Sequence, residues 1–496
     1  MPDHASALTN WRTIRGPFTV LELIPTGVRG LDEILRGGLP RNTMHLMEGP
    51  PGCGKTTAAL QFLRRGHADG EPGLYVSLSQ SASELERVAD AYGWSLEGIE
   101  LVALEVQTDV TQSDQTIFAT ADLRLDRTRQ AIEHAIDSHR PTRIVYDSLL
   151  EVRLLTTDLT RYQRELIGLR AFLHARGITA LLLDTDPSED VEHDTQSRSI
   201  VHGVITMDKE LPAFGRAHRR IEVAKMRGVP ILDGWHDMDI REGEGVVVFP
   251  RIVATERDTV VAPAGDGVEL IRSGRERLDA MFGGGMETGT TTLIVGQAGT
   301  GKSTIASLYA RAALERGEQV ALFLFEERLE TFFRRSEGLG LDMRAHHAAG
   351  RLVIYDFDPD EITAGEFARL VLEEIRADDL RVVVIDSFTG YMKSLANEAQ
   401  ALFDIQALLR HLARRNILTI LVVAQHGLLG FEAETRVDLS HLGDTVLLLR
   451  LEEADGRTHR SIVPVKKRHG PHDMRVHELV IAPGQVDVGP PRTASA

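Results

Sequence analysis

At 496 residues the chain is too long for one ordinary hydrophobic core, so two or more domains are expected. Its 42% hydrophobic and 26% charged residues are typical of soluble globular proteins, and a net charge of −17 with no long Lys/Arg-rich run argues against a duplex-binding surface. The single cysteine, Cys53, excludes a disulfide framework and a CxxC zinc site.

The opening MPDHASALTNWRTIRG has no apolar signal core, and no later run approaches ~18 consecutive apolar residues, so a cytoplasmic protein without a membrane span is expected. Residues 26–57, TGVRGLDEILRGGLPRNTMHLMEGPPGCGKTT, recur without a gap at 273–304 as SGRERLDAMFGGGMETGTTTLIVGQAGTGKST. Farther on, RIVYDSL at 143–149 matches VVVIDSF at 382–388, and IEVAKMRG at 221–228 matches IVPVKKRH at 462–469. The chain thus reads as two copies of one domain, spanning 1–253 and 271–482. A polar linker at 254–270 joins them, and the tail 483–496 is expected to be disordered.

Both copies carry G-x-x-x-x-G-K-[ST], GPPGCGKT at 49–56 and GQAGTGKS at 296–303. Glycines let backbone N–H groups close around phosphates, and the helix that follows turns its positive end toward them. ATP contacts are therefore expected from Gly49, Gly52, Cys53, Gly54, Lys55, Thr56 and Thr57, and from Gly296, Gly299, Thr300, Gly301, Lys302, Ser303 and Thr304. Lys55 and Lys302 would reach the outer phosphates; Thr56 and Ser303 would offer hydroxyls to Mg²⁺. Cys53 lies where backbone rather than side chain meets phosphate.

Downstream of each loop at the same interval the copies diverge. Residues 75–80 read YVSLSQ; residues 322–327 read LFLFEE. Glu326 and Glu327 at a strand end near the γ-phosphate could orient water or take a proton, and with Lys302 they form the expected catalytic set. Ser79 and Gln80 have no such basicity, so the first copy should bind ATP and hydrolyse it poorly unless another carboxylate, such as Glu84, substitutes. Asp147 and Asp386 end the apolar runs RIVYD and VVVID and are expected to hold the Mg²⁺ hydration shell together with Thr56 and Ser303.

TTLIV and VVVID look like buried parallel strands, while 365–377 and 401–416 carry helical periodicity. Strands alternating with helices predict an α/β fold, a mostly parallel sheet covered on both faces, with ligands beyond the carboxyl ends of the strands. KMR at 225–227 and KKR at 466–468 place paired cations two residues apart on strands, suited to stabilising a phosphoryl group across a subunit boundary. His469, His472 and His477 fit no standard metal spacing.

The duplication, the Glu pair after the second loop and the KMRG segment make the chain resemble the KaiC family of tandem RecA-like P-loop ATPases from about Thr26 to Val480. That resemblance implies a homohexameric double ring with ATP at subunit boundaries. It also implies trans contacts from Lys225, Met226, Arg227, Lys466, Lys467 and Arg468, and partners of a KaiB-like or signalling kind. Clock members of the family carry a Glu pair in both domains and autophosphorylate an adjacent Ser and Thr. Here the first pair is Ser79–Gln80, and the phosphoacceptor position reads Ser440–His441. A KaiC relative with a second-domain ATPase, and with Ser440 as candidate autokinase acceptor, therefore fits better than a full clock oscillator. The alternatives are a DNA-handling RecA relative and a nucleotide-gated signalling scaffold. DNA-stimulated hydrolysis would favour the former.

Overall fold

A computed structural model describes residues 21–104, 117–156, 159–185, 197–211, 216–252, 269–358, 362–375, 379–393, 398–425, 439, 441–454 and 456–492. The chain forms two compact units that divide at Pro250–Arg251.

Each unit is built on a nine-stranded sheet. In the first, the strands in spatial order are Gly245–Phe249, His236–Arg241, His218–Met226, Gly203–Glu210, Met44–Gly49, Thr179–Thr185, Arg143–Asp147, Gly73–Ser77 and Ile99–Ala103. Pairing is parallel from Ile99–Ala103 through Gly203–Glu210 and antiparallel beyond. The second unit repeats the design, with Leu352–Asp356, Gln319–Leu324, Leu380–Asp386, Leu418–Ala424, Thr291–Gly296 and Thr445–Ala454 parallel. Arg457–Lys467, His477–Ala482 and Gln485–Pro491 complete it antiparallel.

Alternation along the strands explains why both faces are apolar. Val382 and Val384 join one buried cluster with the helix Lys302–Glu315, whereas Val383 and Ile385 face another, with Phe367 and Leu408. In the first unit Val145 and Leu183 pack on one side, and Ile144 and Leu182 on the other. Each such side chain contributes about 1.5–3 kcal/mol on burial. The helical periodicities correspond to Ala364–Glu374 and Glu398–Arg414.

One expectation is corrected. The tail, expected to be disordered from residue 483, supplies the edge strand Gln485–Pro491, with Val486 and Val488 buried against the neighbouring strand. Two apolar residues at period two outweigh the prolines and glycine around them. Of the expected linker, 254–268 lies outside the described residues, while Leu270 begins a short strand paired with Met286–Glu287.

Candidate active site

In the second unit, the strand Thr291–Gly296 runs into the phosphate loop and the helix Lys302–Glu315 leaves it. Gly301 adopts φ +102°, and a Cβ there would lie 2.5 Å from Ile481 Cδ1. Gly54 takes the same position in the first unit at φ +110°, with Ile240 Cδ1 at 2.9 Å. Only glycine permits both the conformation and the approach. The first backbone N–H groups of each helix, which lack intrahelical acceptors, are left facing the loop.

Lys302 is buried and donates to the Gln297 carbonyl at 2.8 Å. Burial pulls its ammonium below the usual lysine range, against the charges of Asp386 and Glu326. Lys55 donates to the Gly49 and Pro50 carbonyls at 2.5 and 3.0 Å. Burial pushes the neighbouring Cys53 thiol up, consistent with a packing role.

Burial also pushes the Asp386 carboxyl up, while a hydrogen bond from Ser303 works against it. A hydroxyl beside a strand-terminal carboxylate is the hard oxygen set that suits Mg²⁺ with its waters, so these residues fit the ion. In the first unit Tyr75 intervenes. Its hydroxyl donates to Asp147 at 2.6 Å and also bonds with Thr56. The residue matching Tyr75 is Leu322.

Register brings the two divergent pairs to one place. Ser77 pairs with Asp147 as Leu324 pairs with Asp386, and the N–H groups of Leu78 and Phe325 donate to those aspartate carbonyls at 2.6 and 2.8 Å. Ser79–Gln80 and Glu326–Glu327 follow directly. Glu326 lines a cleft of about 860 Å³ with Lys302, Ser303 and Asp386. Glu327 is differently employed, accepting two bonds from Arg335 at 2.9 and 2.7 Å.

Glu84 accepts from the backbone N–H and the hydroxyl of Ser81 at the start of its own helix. Burial pushes the Asp147 carboxyl up, and Glu151 adds to the rise from the helix Leu149–Leu155, whose start it caps with Oε2 accepting from the Ser148 hydroxyl at 2.6 Å. The matching residue in the second unit is Gly390, where a Cβ would fall 3.0 Å from Glu326 Cγ. The two units thus bring a carboxylate toward the strand-terminal aspartate from different elements.

The Lys-x-Arg segments lie away from their own loops. Lys225 sits level with Val204 and Leu46, and Lys466 level with Val446 and Leu293, each three residues short of Gly49 or Gly296 and so roughly 10 Å back along the strand. Lys225 bonds the Arg198 and Val201 carbonyls and Arg227 that of Ser199. Lys466 bonds the Gly443 carbonyl, Lys467 that of Phe282, and Arg468 pairs with Asp444. Ser440 lies outside the described residues.

Several cations beside the phosphate loops escape a motif search. Arg460 donates to the Gly299 carbonyl at 3.0 Å, and a Cβ on Gly52 would lie 3.3 Å from Lys209 Nζ. The Arg335 spacing, eight residues after Glu327 on a helical pattern, was the available signal.

Tandem α/β units, each with a phosphate loop facing a strand-terminal aspartate, define a RecA-like P-loop ATPase. The family described as "ATPase: KaiC" matches residues 24–252 and 271–493, and the chain belongs to that family. It is 26% identical over 488 residues to the circadian clock oscillator protein KaiC of Thermostichus vulcanus, covering 97% of this chain and 90% of that protein. It is also 29% identical over 470 residues to the circadian clock protein KaiC2 of Synechocystis sp., covering 94% and 81%. KaiC3 of the same organism is 26% identical over 473 residues, covering 95% and 92%.

Proposed function

We propose that this KaiC-family ATPase concentrates hydrolysis in its second unit, with Glu326 as the base, and uses nucleotide in its first unit mainly to assemble a homohexamer. The observation that carries this reading is the cleft joining Glu326 to Lys302, Ser303 and Asp386, where the first unit has Ser79 in place of Glu326. The loop N–H groups and Lys302 bind the phosphates. Ser303 and Asp386 would hold Mg²⁺, which when bound neutralises charge on the phosphate oxygens. Glu326 takes a proton from the attacking water while the bond between the γ-phosphorus and the ADP oxygen breaks, leaving ADP and phosphate. Lys225, Met226, Arg227, Lys466, Lys467 and Arg468 serve a neighbouring subunit, a role supported by their distance from their own loops. Ser440 is the candidate alternative acceptor, giving a phosphoserine when its hydroxyl replaces water. KaiB-like or signalling proteins are the candidate partners.

The test compares wild type, Glu326→Gln and Lys55→Ala by ATP hydrolysis, phosphoprotein content and particle mass. We expect Glu326→Gln to reduce turnover about 10²-fold or more, the general-base contribution, with mass unchanged. We expect Lys55→Ala to dissociate the assembly. Unimpaired turnover in the first variant, or full-size particles in the second, would refute the corresponding assignment.

A further inference from the structure

The second cleft contains a cation that neither the phosphate loop nor the Lys-x-Arg segment supplies. Arg335 lies on the helix Leu329–Gly338 and lines the cleft with Lys302, Ser303, Glu326 and Asp386. Its Nε and Nη2 are both committed to Glu327, at 2.9 and 2.7 Å. A bidentate bond on that edge fixes the plane of the guanidinium and leaves Nη1 on the opposite edge. Nη1 is buried and has no hydrogen-bond partner among the described residues. A buried charged donor without an acceptor is costly, so an acceptor is to be sought in the cleft.

Comparison of the repeats narrows the choice. At the offset that matches Glu326 to Ser79, Glu327 becomes Gln80 and Arg335 becomes Val88, which packs on the apolar core. Both charges are lost together. The pair therefore belongs to something the second unit does and the first does not.

We propose that Arg335 is a phosphate-binding residue of the second site, acting within its own chain. Its Nη1 donates to the terminal phosphate of ATP, and Glu327 holds it in place rather than serving as a second base. The inference rests on the second unit being the hydrolytic one. A donor aimed at the terminal phosphate distinguishes ATP from ADP, which a purely structural ion pair would not.

The experiment measures binding of the non-hydrolysed β,γ-imido analogue of ATP and of ADP to the full chain. Lys302→Ala isolates the contribution of the first site. The main variant is Glu327→Gln/Arg335→Val, which copies the first unit's uncharged pair and leaves neither charge alone; Arg335→Lys is its conservative companion. We expect the double variant to lose about 10–100-fold in affinity for the analogue at the second site, the range for a bond to a charged group, while ADP affinity changes less than about threefold. Arg335→Lys should recover part of the preference. Equal losses for both nucleotides, or an unchanged preference, would overturn the proposal. Glu326→Gln measured in parallel separates the failures: full turnover there sinks the hydrolytic reading, whereas lost turnover with an intact preference in the double variant sinks Arg335 alone.

Discussion

Residues that share one place in the two repeats show what each site tolerates. A Cβ at position 390 would fall 3.0 Å from Glu326 Cγ, so glycine there makes room for Glu326; the matching residues of the first repeat are Glu151 and Ser79. Introducing Ser79→Glu alone would therefore crowd two carboxylates into one space, with like charges facing each other. In a Lys302→Ala background that silences the second site, we expect Ser79→Glu to leave first-site turnover low and Ser79→Glu/Glu151→Gly to raise it by tenfold or more, read as phosphate release. High turnover from the single variant would show that the swap is not steric. A second contrast lies beneath the same strand ends, where Glu48 and Asp184 pair across adjacent strands and the second unit has Val295 and Val423. Arg153 bonds Asp184 at 2.7 Å, yet burial prevails and its carboxyl is pushed up to about 7. An unfolded Asp releases its proton near pH ~4, so between that value and about 7 the folded state binds more protons than the unfolded one. The Asp184 contribution is fully present below the lower value and is lost as pH rises through the upper one. Asp184→Asn should flatten this fall across pH 4–7, as followed by the first unit's denaturation midpoint; an unchanged slope would assign the proton elsewhere.

Elements inherit these differences. The run RIVYD is legible as a strand because its three central residues are β-branched or aromatic, and its terminal aspartate is legible from the loop upstream. What one sequence does not reveal is that Arg143, its first residue, is among the most buried side chains. Its Nη1 donates to the Pro25 and Phe62 carbonyls, and its Nε to Glu71 at 2.5 Å. Three partners 72 to 118 residues away become neighbours only once the strand order is known. The same holds for Tyr75, whose hydroxyl meets Asp147 through cross-strand register, and for the choice between Glu326 and Glu327, which depended on a helix placing Arg335 opposite one of them. The edge strand Gln485–Pro491 was missed for a related reason, since its apolar residues are too few to signal without the partner strand that buries them. Arg143 ties the segment before the first repeat to the helix Lys55–Ala68 and the strand beside it. We expect Arg143→Met to destabilise the first unit by about 3 kcal/mol, toward the low end for a broken buried ion pair because Glu71 keeps Arg41. Chemical denaturation tests this, with the second unit's transition unmoved as the internal control.

At the scale of the whole molecule, the proposed division of labour assigns the two like-built units different ends. If, as proposed, a Lys-x-Arg segment set back from its own loop serves a phosphate on another copy, a head-to-tail contact of that kind closes into a ring when the rotation permits. Nucleotide held at such a boundary stabilises the assembly by mass action, so weakening a trans contact should be offset by more nucleotide. This separates the two segments experimentally. Lys225→Ala/Arg227→Ala should shift assembly to higher ATP concentration, about tenfold for ~1.4 kcal/mol lost per site, with full-size particles restored at saturation. Lys466→Ala/Arg468→Ala should instead lower turnover while particle mass at moderate ATP stays that of wild type, because the hydrolytic unit loses charge stabilisation and the first-unit boundary is intact. Particle mass against ATP concentration, measured beside phosphate release, reads both. If the two double variants behave alike, the division of labour inferred from Ser79 and Glu326 does not extend to the subunit boundaries, and both units share assembly and chemistry.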